Sequence, residues 1–425
     1  MTRLGAVLGS GWFWAALWAL SRAFLGYQWR TTSSYIVGDV HYYAQQVAQA
    51  GGWSASLVEY PTPVAWAMNL LRLVTNDNLG AFVWGFATSI VLLDAVMAHL
   101  LWRYGGQRRQ LAVLGWIGFV TLLGPLAYFR FDMAPAVLAG AGALLVNRRP
   151  SLAGALIAGG AALKLWPALL VLPLLGRGRE RRASGVSFLV TGLLLAVASL
   201  VAGGWPRLLS PLVWQSDRGL QVESVAATPL VYARAFLDGE WSVGMSQYNA
   251  YEITGPGVDT ALQVADLSFL LGLAVIGVLG WRAVRLDRRT PATVALVMLA
   301  TTMVMIVTSK TLSPQYVLWL GGPVCALLVS SDEPEHQALR WPLLVAAGAW
   351  LLALATQVVY PLRYADIVGS PPGAGGTSVL VLRNLALVAA AVAVVALAWR
   401  SSRQEPVFGS ETESPDDPVV TDPVR

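Results

Sequence analysis

A polar, aromatic stretch follows the first long apolar segment of the chain and reads Gly38-Asp39-Val40-His41-Tyr42-Tyr43. Its Asp39 carboxylate could act as a general base, a group that accepts a proton from a reacting hydroxyl. Alternatively, Asp39 could cap a helix that begins at Val40, because aspartate is favoured at helix N-termini. The spacing supports both interpretations equally, and one carboxylate can do both jobs.

Three further charged residues lie at the outer ends of apolar segments. Arg130 and Asp132 occupy one turn, where such neighbours usually form a local ion pair. Lys310 could be an interfacial residue whose charged end reaches the polar layer. If the outer ends converge, however, these residues and Asp39 form a cavity with one carboxylate and several cations. Such a cavity suits an anionic lipid head group.

Lys164 lies in the middle of an apolar segment, within Ala162-Leu163-Lys164-Leu165-Trp166-Pro167. A lysine at the centre of a bilayer costs about 2.5 to 3.5 kcal/mol on insertion scales. Something must therefore face its ammonium group. A phosphate reached from the cavity is one candidate; a structural partner, either a carbonyl or a carboxylate such as Asp94, is the other.

The long loop 203–260 combines Arg218 and Glu223 with several tryptophans and tyrosines. Each aromatic residue alone is typical of an anchor at the membrane interface. Together with the charged residues they would also suit a sugar site, where rings stack on C–H faces and polar groups hold hydroxyls. Glycine pairs such as Gly140-x-Gly142 lie in apolar segments and indicate close helix packing.

The composition identifies the class of protein that must position these residues. Hydrophobic residues make up 56% of the 425 and charged residues 12%, and the mean hydropathy is +0.58. This is too apolar for an ordinary soluble domain and predicts an all-α polytopic membrane protein. The net charge of +5 comes from basic residues in short loops, so it indicates orientation and not nucleic-acid binding.

Cysteine and histidine usage argues against two kinds of site. The single cysteine, Cys325, excludes an internal disulfide. The three histidines, at positions 41, 99 and 336, are too scattered to predict a structural zinc site.

Apolar segments of about 20 residues predict the membrane spans. The candidates are 11–29, 79–102, 111–129, 131–147, 183–203, 261–282, 291–308, 316–331, 341–360 and 378–399. Arginines at 103–109, 148–149, 177–182 and 282–289 should face the cytoplasm, which places both termini there and the loops 30–78, 203–260, 309–315 and 361–377 outside. Residues 1–403 form one membrane module in this interpretation, and 404–425 a disordered cytoplasmic tail.

Two segments depart from simple spans. Arginines flank 151–176 on the same side, so this segment should enter and return as two half-helices that meet near Lys164, where Pro167 removes a hydrogen bond. In the outer loop 30–78, residues 40–50 and 62–74 are expected to form short helices along the membrane surface.

The chain resembles the polyprenyl-phosphate-sugar-dependent glycosyltransferases of the GT-C membrane fold, and most closely glycosyltransferase family 87, the family of actinobacterial mannosyltransferases that build phosphatidylinositol mannosides. The similar places are Gly38 to Tyr43 followed by Tyr60-Pro61-Thr62-Pro63, Ala162 to Pro167 with Leu172-Pro173-Leu174-Leu175, and Ser313-Pro314-Gln315-Tyr316. The motif Tyr60-Pro61-Thr62-Pro63 departs from the Tyr-Pro-Pro expected at that place. The resemblance implies a bundle of about 10–12 transmembrane helices with helices in the outer loops, and a general base at Asp39.

The chemistry of a lipid-phosphate donor agrees with these residues. Hydrolysis of a glycoside needs two carboxylates, whereas a lipid phosphate already leaves as a stabilised anion, so one base is enough. Asp39 would deprotonate an acceptor hydroxyl that attacks the anomeric carbon opposite the phosphate, with inversion. Lys164, Lys310 or Arg130 would stabilise the departing phosphate. No metal or other cofactor is required in this scheme.

These inferences together define the candidate site. Asp39 is the expected catalytic residue, the donor is expected to be a polyprenyl-phosphate sugar, and the acceptor a glycolipid or polysaccharide in contact with membrane lipids. A secondary transporter remains the alternative, although it predicts broken helices in two related halves and only one broken segment is evident. The residues expected to bind substrate are His41, Tyr42, Tyr60, Arg130, Asp132, Lys164, Arg218, Glu223, Lys310, Gln315 and Tyr316.

Overall fold

A computed structural model describes residues 9–237, 239–286, 290–330 and 340–402. Most of these residues are helical, and the described strands form one short hairpin. The helices are α1 Gly11–Thr32, α2 Gly38–Gln49, α3 Thr62–Val74, α4 Leu79–Tyr104, α5 Arg109–Leu123, α6 Met133–Leu145, α7 Pro150–Leu163, α8 Arg179–Ser216, α9 Thr228–Phe236, α10 Val258–Arg285, α11 Pro291–Thr308, α12 Leu318–Ser330, α13 Arg340–Gln357, α14 Tyr364–Val368 and α15 Ala374–Ser401. Strands β1 Ser242–Met245 and β2 Tyr251–Thr254 pair antiparallel.

The expectation of an all-α membrane protein is confirmed. Among the described residues, six helices are long and apolar enough to cross a bilayer. Shorter helices replace three of the predicted spans, 111–129, 131–147 and 316–331. In the first two, Gly124 and Pro125 end α5, and α6 begins only at Met133. In the third, α12 covers Leu318–Ser330. The predicted tail 404–425 lies outside the described residues, and the sides on which the loops lie stay a prediction.

Three helices form the centre of the bundle. Helices α6, α11 and α12 are apolar around nearly their whole circumference and are buried along most of their length, as expected of helices with no solvent face. A Cβ atom added at Gly140 would lie 2.7 Å from the Cα of Gly322. The expected close packing at Gly140 is therefore confirmed, and it brings α6 against α12.

A buried charge pair joins the first helix to this bundle. Nε and Nη2 of Arg22 donate to the two carboxylate oxygens of Asp94 at 2.7 and 2.8 Å. Trp18, Trp116 and Tyr128 also donate to this carboxylate. Asp94 therefore has enough donors to offset the cost of its burial. It is not the partner of Lys164, so the carboxylate suggested as an example was the wrong one, although Lys164 does pair with another carboxylate, that of Asp132.

Helix α8 is longer than the predicted span 183–203. It contains a break at Gly204, whose φ of +72° is one that residues with a side chain rarely adopt. Beyond the break, Arg207 donates hydrogen bonds to the carbonyls of Ser54 and Tyr60 at 2.6 and 2.9 Å. The part of α8 after Gly204 thus holds the loop that precedes α3.

The predicted break near Lys164 is confirmed. Helix α7 ends at Leu163, and Lys164 has an extended backbone with φ −154° and ψ 132°. A 3-10 helix, Trp166–Leu174, follows with Pro167 in its first turn. The two loop helices predicted at 40–50 and 62–74 are also present, as α2 and α3.

Candidate active site

A cavity of about 280 Å³ lies where α2, the α7 break, the end of α8 and the segment before α12 meet. These elements are distant in sequence, and it is the packing of the bundle that brings them together. Seven of the predicted site residues line the cavity, namely Asp39, Tyr42, Tyr60, Lys164, Arg218, Gln315 and Tyr316.

Asp39 lies in the first turn of α2, which begins two residues earlier than expected. Val37 takes the N-cap position and no side chain caps this helix, so the interpretation of Asp39 as an N-cap was wrong. Its carboxylate lies 2.9 Å from Nε of Arg130, and 24% of its side chain is exposed. Burial raises the pKa of the Asp39 carboxyl above its ordinary value, and the Arg130 guanidinium opposes that rise.

Arg130 holds Asp39 from behind the cavity. Its Nη1 donates to the carbonyls of Ile36 and Phe129, each at 2.8 Å, and Nη2 donates to the Tyr360 hydroxyl at 3.3 Å. The expected local ion pair between Arg130 and Asp132 does not form, because the Arg130 guanidinium turns toward Asp39 on α2. Because protein groups hold Nη1 and Nη2 while Nε lies against the carboxylate, Arg130 is suited to orient Asp39.

Lys164 pairs with Asp132 and not with a carbonyl. The Lys164 ammonium lies 2.7 Å from Oδ1 of Asp132, which also accepts from Nε1 of Trp319 at 2.8 Å. The ammonium also lies 4.5 Å from the ring centroid of Tyr316 and 5.0 Å from that of Trp319. Since an ammonium has three donors, Lys164 can still donate toward the cavity that it lines.

Arg218 is a second cation at the cavity. It makes no hydrogen bond or ion pair with the residues that the structure describes, and its Nε is buried without a partner. A buried donor of this kind is costly unless a ligand or water satisfies it. Arg218 and Lys164 are thus two cationic side chains that line the same cavity.

Glu59 is a cavity residue that the sequence analysis did not select. Its Oε1 accepts a hydrogen bond from the Tyr42 hydroxyl at 2.8 Å. Burial raises the pKa of the Glu59 carboxyl, and burial and the neighbouring Glu59 raise the pKa of Tyr42. The expected cavity with a single carboxylate was therefore wrong, because Asp39 and Glu59 both line it. Glu59 directly precedes Tyr60, a predicted site residue, and this position in the sequence could have identified it as a cavity residue.

One wall of the cavity is aromatic. The Trp319 ring stacks on Trp166 at 4.6 Å between centroids and on Tyr316 at 4.2 Å. The sequence analysis missed both tryptophans as site residues, because tryptophan in an apolar segment is usually an interfacial anchor. All three rings line the cavity, and they are largely buried against one another.

Five predicted residues do not line the cavity. Arg130 and Asp132 stand behind it as the partners of Asp39 and Lys164. His41 is exposed, and Lys310 donates to the Ser216 carbonyl at 2.8 Å. Glu223 is fully buried in an ion pair of 2.7 Å with Arg383, so its expected contact with substrate is replaced by a structural one.

The residues that the structure describes contain no group of three or more His, Cys, Asp or Glu side chains suited to a metal ion.

The family model described as glycosyltransferase family 87 matches residues 57–309, which is more than half of the chain. The matched range includes Glu59, Lys164 and Arg218 but begins after Asp39. No curated protein matches the chain.

Proposed function

Because the chain belongs to glycosyltransferase family 87, we propose that it transfers a sugar, mannose, from a polyprenyl-phosphate donor to a lipid or glycan acceptor on the extracytoplasmic face of the cell membrane. The glycosyltransferase function follows from the family and takes precedence over the secondary transporter that the sequence left open. The sugar, the donor carrier, the acceptor and the side of the membrane belong to the proposal.

One observation carries the proposal: two carboxylates, Asp39 and Glu59, and two cations line the same cavity in a membrane protein. A transfer from a lipid phosphate needs a base for the incoming hydroxyl and positive charge for the departing phosphate. Asp39 supplies the first, and Lys164 with Arg218 supplies the second.

The reaction proceeds by a single displacement. The acceptor hydroxyl attacks the anomeric carbon and loses its proton to Asp39, while the bond to the phosphate oxygen breaks on the opposite face. The anomeric configuration is inverted, and the electron pair of the broken bond remains on the phosphate. Arg130 keeps the Asp39 carboxylate turned toward the cavity, since its guanidinium lies 2.9 Å away.

Lys164 and Arg218 stabilise the phosphate as it departs. A fixed cation in a partly desolvated site stabilises developing negative charge more than water does, because it needs no reorganisation. The reaction as proposed uses these two side chains in place of a metal ion. Lys310, which the sequence suggested for this task, points instead to the Ser216 carbonyl.

A transfer assay tests the proposal. Purified protein is incubated with polyprenyl-phosphate mannose, polyprenyl-phosphate arabinose and a nucleotide-linked mannose, with membrane lipid extract as acceptor, in the presence and absence of EDTA. The expected result is transfer from polyprenyl-phosphate mannose alone, unaffected by EDTA. Transfer from the nucleotide sugar alone would overturn the proposed donor, and transfer from the arabinose donor alone would overturn the proposed sugar.

The proposed sidedness has its own test. We propose that both termini are cytoplasmic and that α2 faces the outside. His41 is exposed on α2, and Cys325 is fully buried, so a His41→Cys variant should be labelled in intact cells by a thiol reagent that does not cross membranes. Labelling only after the membrane is permeabilised would place this face in the cytoplasm.

A further inference from the structure

The hairpin of β1 and β2 reaches the rim of the reaction cavity. Residues 246–250 form the turn between the two strands. Two residues of this turn, Tyr248 and Asn249, line the cavity, and Asn249 is also exposed. The turn therefore lies where the cavity opens to the surface of the protein. Neither residue has a part in the proposed displacement.

The hairpin is anchored beside one of the cavity cations. Backbone hydrogen bonds of 3.0 Å join β2 to the segment 220–222. The Gly219 N–H donates to Oε1 of Glu252 on β2 at 3.2 Å, and a Cβ atom added at Gly219 would lie 2.5 Å from the other oxygen of this carboxylate. Gly219 directly follows Arg218, so the anchor of the hairpin also fixes the backbone next to this cation.

The turn holds its two cavity residues in place. The Ser246 N–H donates to the Ala250 carbonyl at 2.9 Å, and the Asn249 N–H donates to the Ser246 carbonyl at 3.1 Å. Asn249 has a φ of +53°, in the left-handed region that asparagine adopts more readily than most residues with a side chain. The Tyr248 ring packs edge-on against Trp214, with 5.2 Å between the ring centroids.

The polar groups of these two side chains are not used by the protein. Neither the Asn249 amide nor the Tyr248 hydroxyl makes a hydrogen bond with the residues that the structure describes, although both residues line the cavity. An amide offers two donors and an acceptor, and a phenol offers a donor and an acceptor. Both groups are uncharged, so they suit a neutral ligand rich in hydroxyls better than a phosphate.

We propose that this turn binds a neutral sugar unit of the acceptor, next to the unit whose hydroxyl attacks. The inference rests on the proposed function and adds the class of acceptor, a glycan or glycolipid with at least two sugar units. The donor brings a single sugar, whose anomeric carbon must lie between Asp39 and the cations that hold the phosphate. A second set of groups for hydroxyls, at the rim of the same cavity, is therefore left for the acceptor.

Such a subsite changes the affinity for the acceptor and not the chemical step. The sugar unit that it holds does not react, so the subsite binds the substrate and the transition state equally, which lowers KM without raising kcat. An acceptor with one sugar unit would not reach the turn. The wild-type protein should therefore have a lower KM for acceptors with two or three units than for an acceptor with one.

Substitutions in the turn test the proposal. Asn249→Gly removes the amide and keeps a residue that adopts positive φ freely. Tyr248→Phe removes only the hydroxyl and keeps the ring against Trp214. Gln247→Ala is the matched control, because it removes an amide from the same turn and Gln247 is exposed and does not line the cavity. The acceptors are octyl mannosides that carry one, two or three mannose units, and the donor is polyprenyl-phosphate mannose.

We expect Asn249→Gly to raise the KM for the two- and three-unit acceptors about 3- to 10-fold, the effect of one or two neutral hydrogen bonds. Its kcat, its KM for the one-unit acceptor and its KM for the donor should not change. Tyr248→Phe should act in the same direction, and Gln247→Ala should change none of these constants. An unchanged acceptor KM in both cavity-lining variants would overturn the proposal, as would an equal rise for all three acceptors.

Two other results separate this subsite from the proposed function. A donor KM that rises as much as the acceptor KM would place the donor's sugar on the turn and overturn the subsite. The subsite also fails, while the proposed function stands, if the wild-type protein transfers mannose to membrane lipid extract but uses the longer mannosides no better than the one-unit mannoside. If the folded wild-type protein transfers mannose to no acceptor, the proposed function itself fails.

Discussion

The pair formed by Lys164 and Asp132 allows the stability of the site to be separated from its chemistry. Asp132 is only 1% exposed, and its Oδ1 accepts from Lys164 and Trp319 alone among the described residues. A Lys164→Met substitution would leave this carboxylate buried with a single donor. Removing one partner of a buried ion pair costs about 3 to 5 kcal/mol, and we expect the lower end because Lys164 keeps part of its surface exposed.

A second substitution should restore the lost stability but not the activity. In Lys164→Met/Asp132→Asn the buried group is uncharged and its oxygen still accepts from Trp319, so most of the loss should be recovered. Both variants should nevertheless transfer sugar about 100- to 1000-fold more slowly, the effect of removing one group that stabilises developing charge. Asp132→Asn alone, which keeps Lys164, is the matched control.

Thermal unfolding in detergent measures the stability of each variant, and initial rates of transfer from polyprenyl-phosphate mannose measure its activity. A double variant that transfers sugar at the wild-type rate would refute the role of Lys164 at the phosphate. A single Lys164→Met variant that unfolds at the wild-type temperature would refute the energetic coupling inferred from the 2.7 Å contact.

Three more outcomes follow from the same contacts. The rate of transfer should fall as the pH drops through the raised pKa of Asp39, because the base must be ionised. This loss of rate should therefore occur at a higher pH than an ordinary aspartate would give. A transfer rate that is flat down to about pH 4 would contradict this prediction. Glu59→Gln keeps the acceptor oxygen for Tyr42 and removes the charge that would bind a sugar hydroxyl in the cavity. We therefore expect a higher KM for a sugar substrate with a smaller change in kcat. An unchanged KM would show that Glu59 binds no hydroxyl of the substrate. Arg22→Leu should lower the free energy of unfolding by about 3 to 5 kcal/mol while each folded molecule keeps its activity, and equal stability by thermal unfolding would contradict the importance of the Asp94 network.

The elements of the site could be predicted from the sequence because each depends on local properties. The surface helices α2 and α3 follow from polar, amphipathic stretches between apolar segments, and the break at Lys164 follows from Pro167. The start of α2 differed by two residues from the prediction, a typical uncertainty for helix ends. That small difference was enough to make Asp39 a first-turn residue and not a cap.

The partners of the charged residues could not be predicted in the same way. Arg130 and Asp132 are neighbours in sequence, but their partners, Asp39 and Lys164, come from other elements. Burial decides these pairings, since a buried charge must find a partner wherever the packing of helices supplies one. Glu223 shows the same limit: its partner Arg383 lies 160 residues away, on α15.

The central claim is that Asp39 removes the proton from the acceptor hydroxyl, and the most direct test is the rate of sugar transfer by Asp39→Asn. Asparagine keeps the size of the side chain and offers an oxygen to Arg130, so the variant should unfold near the wild-type temperature. We expect its transfer rate to fall by about 100-fold or more, the contribution of a general base. A folded Asp39→Asn protein that transfers sugar at the wild-type rate would contradict the account.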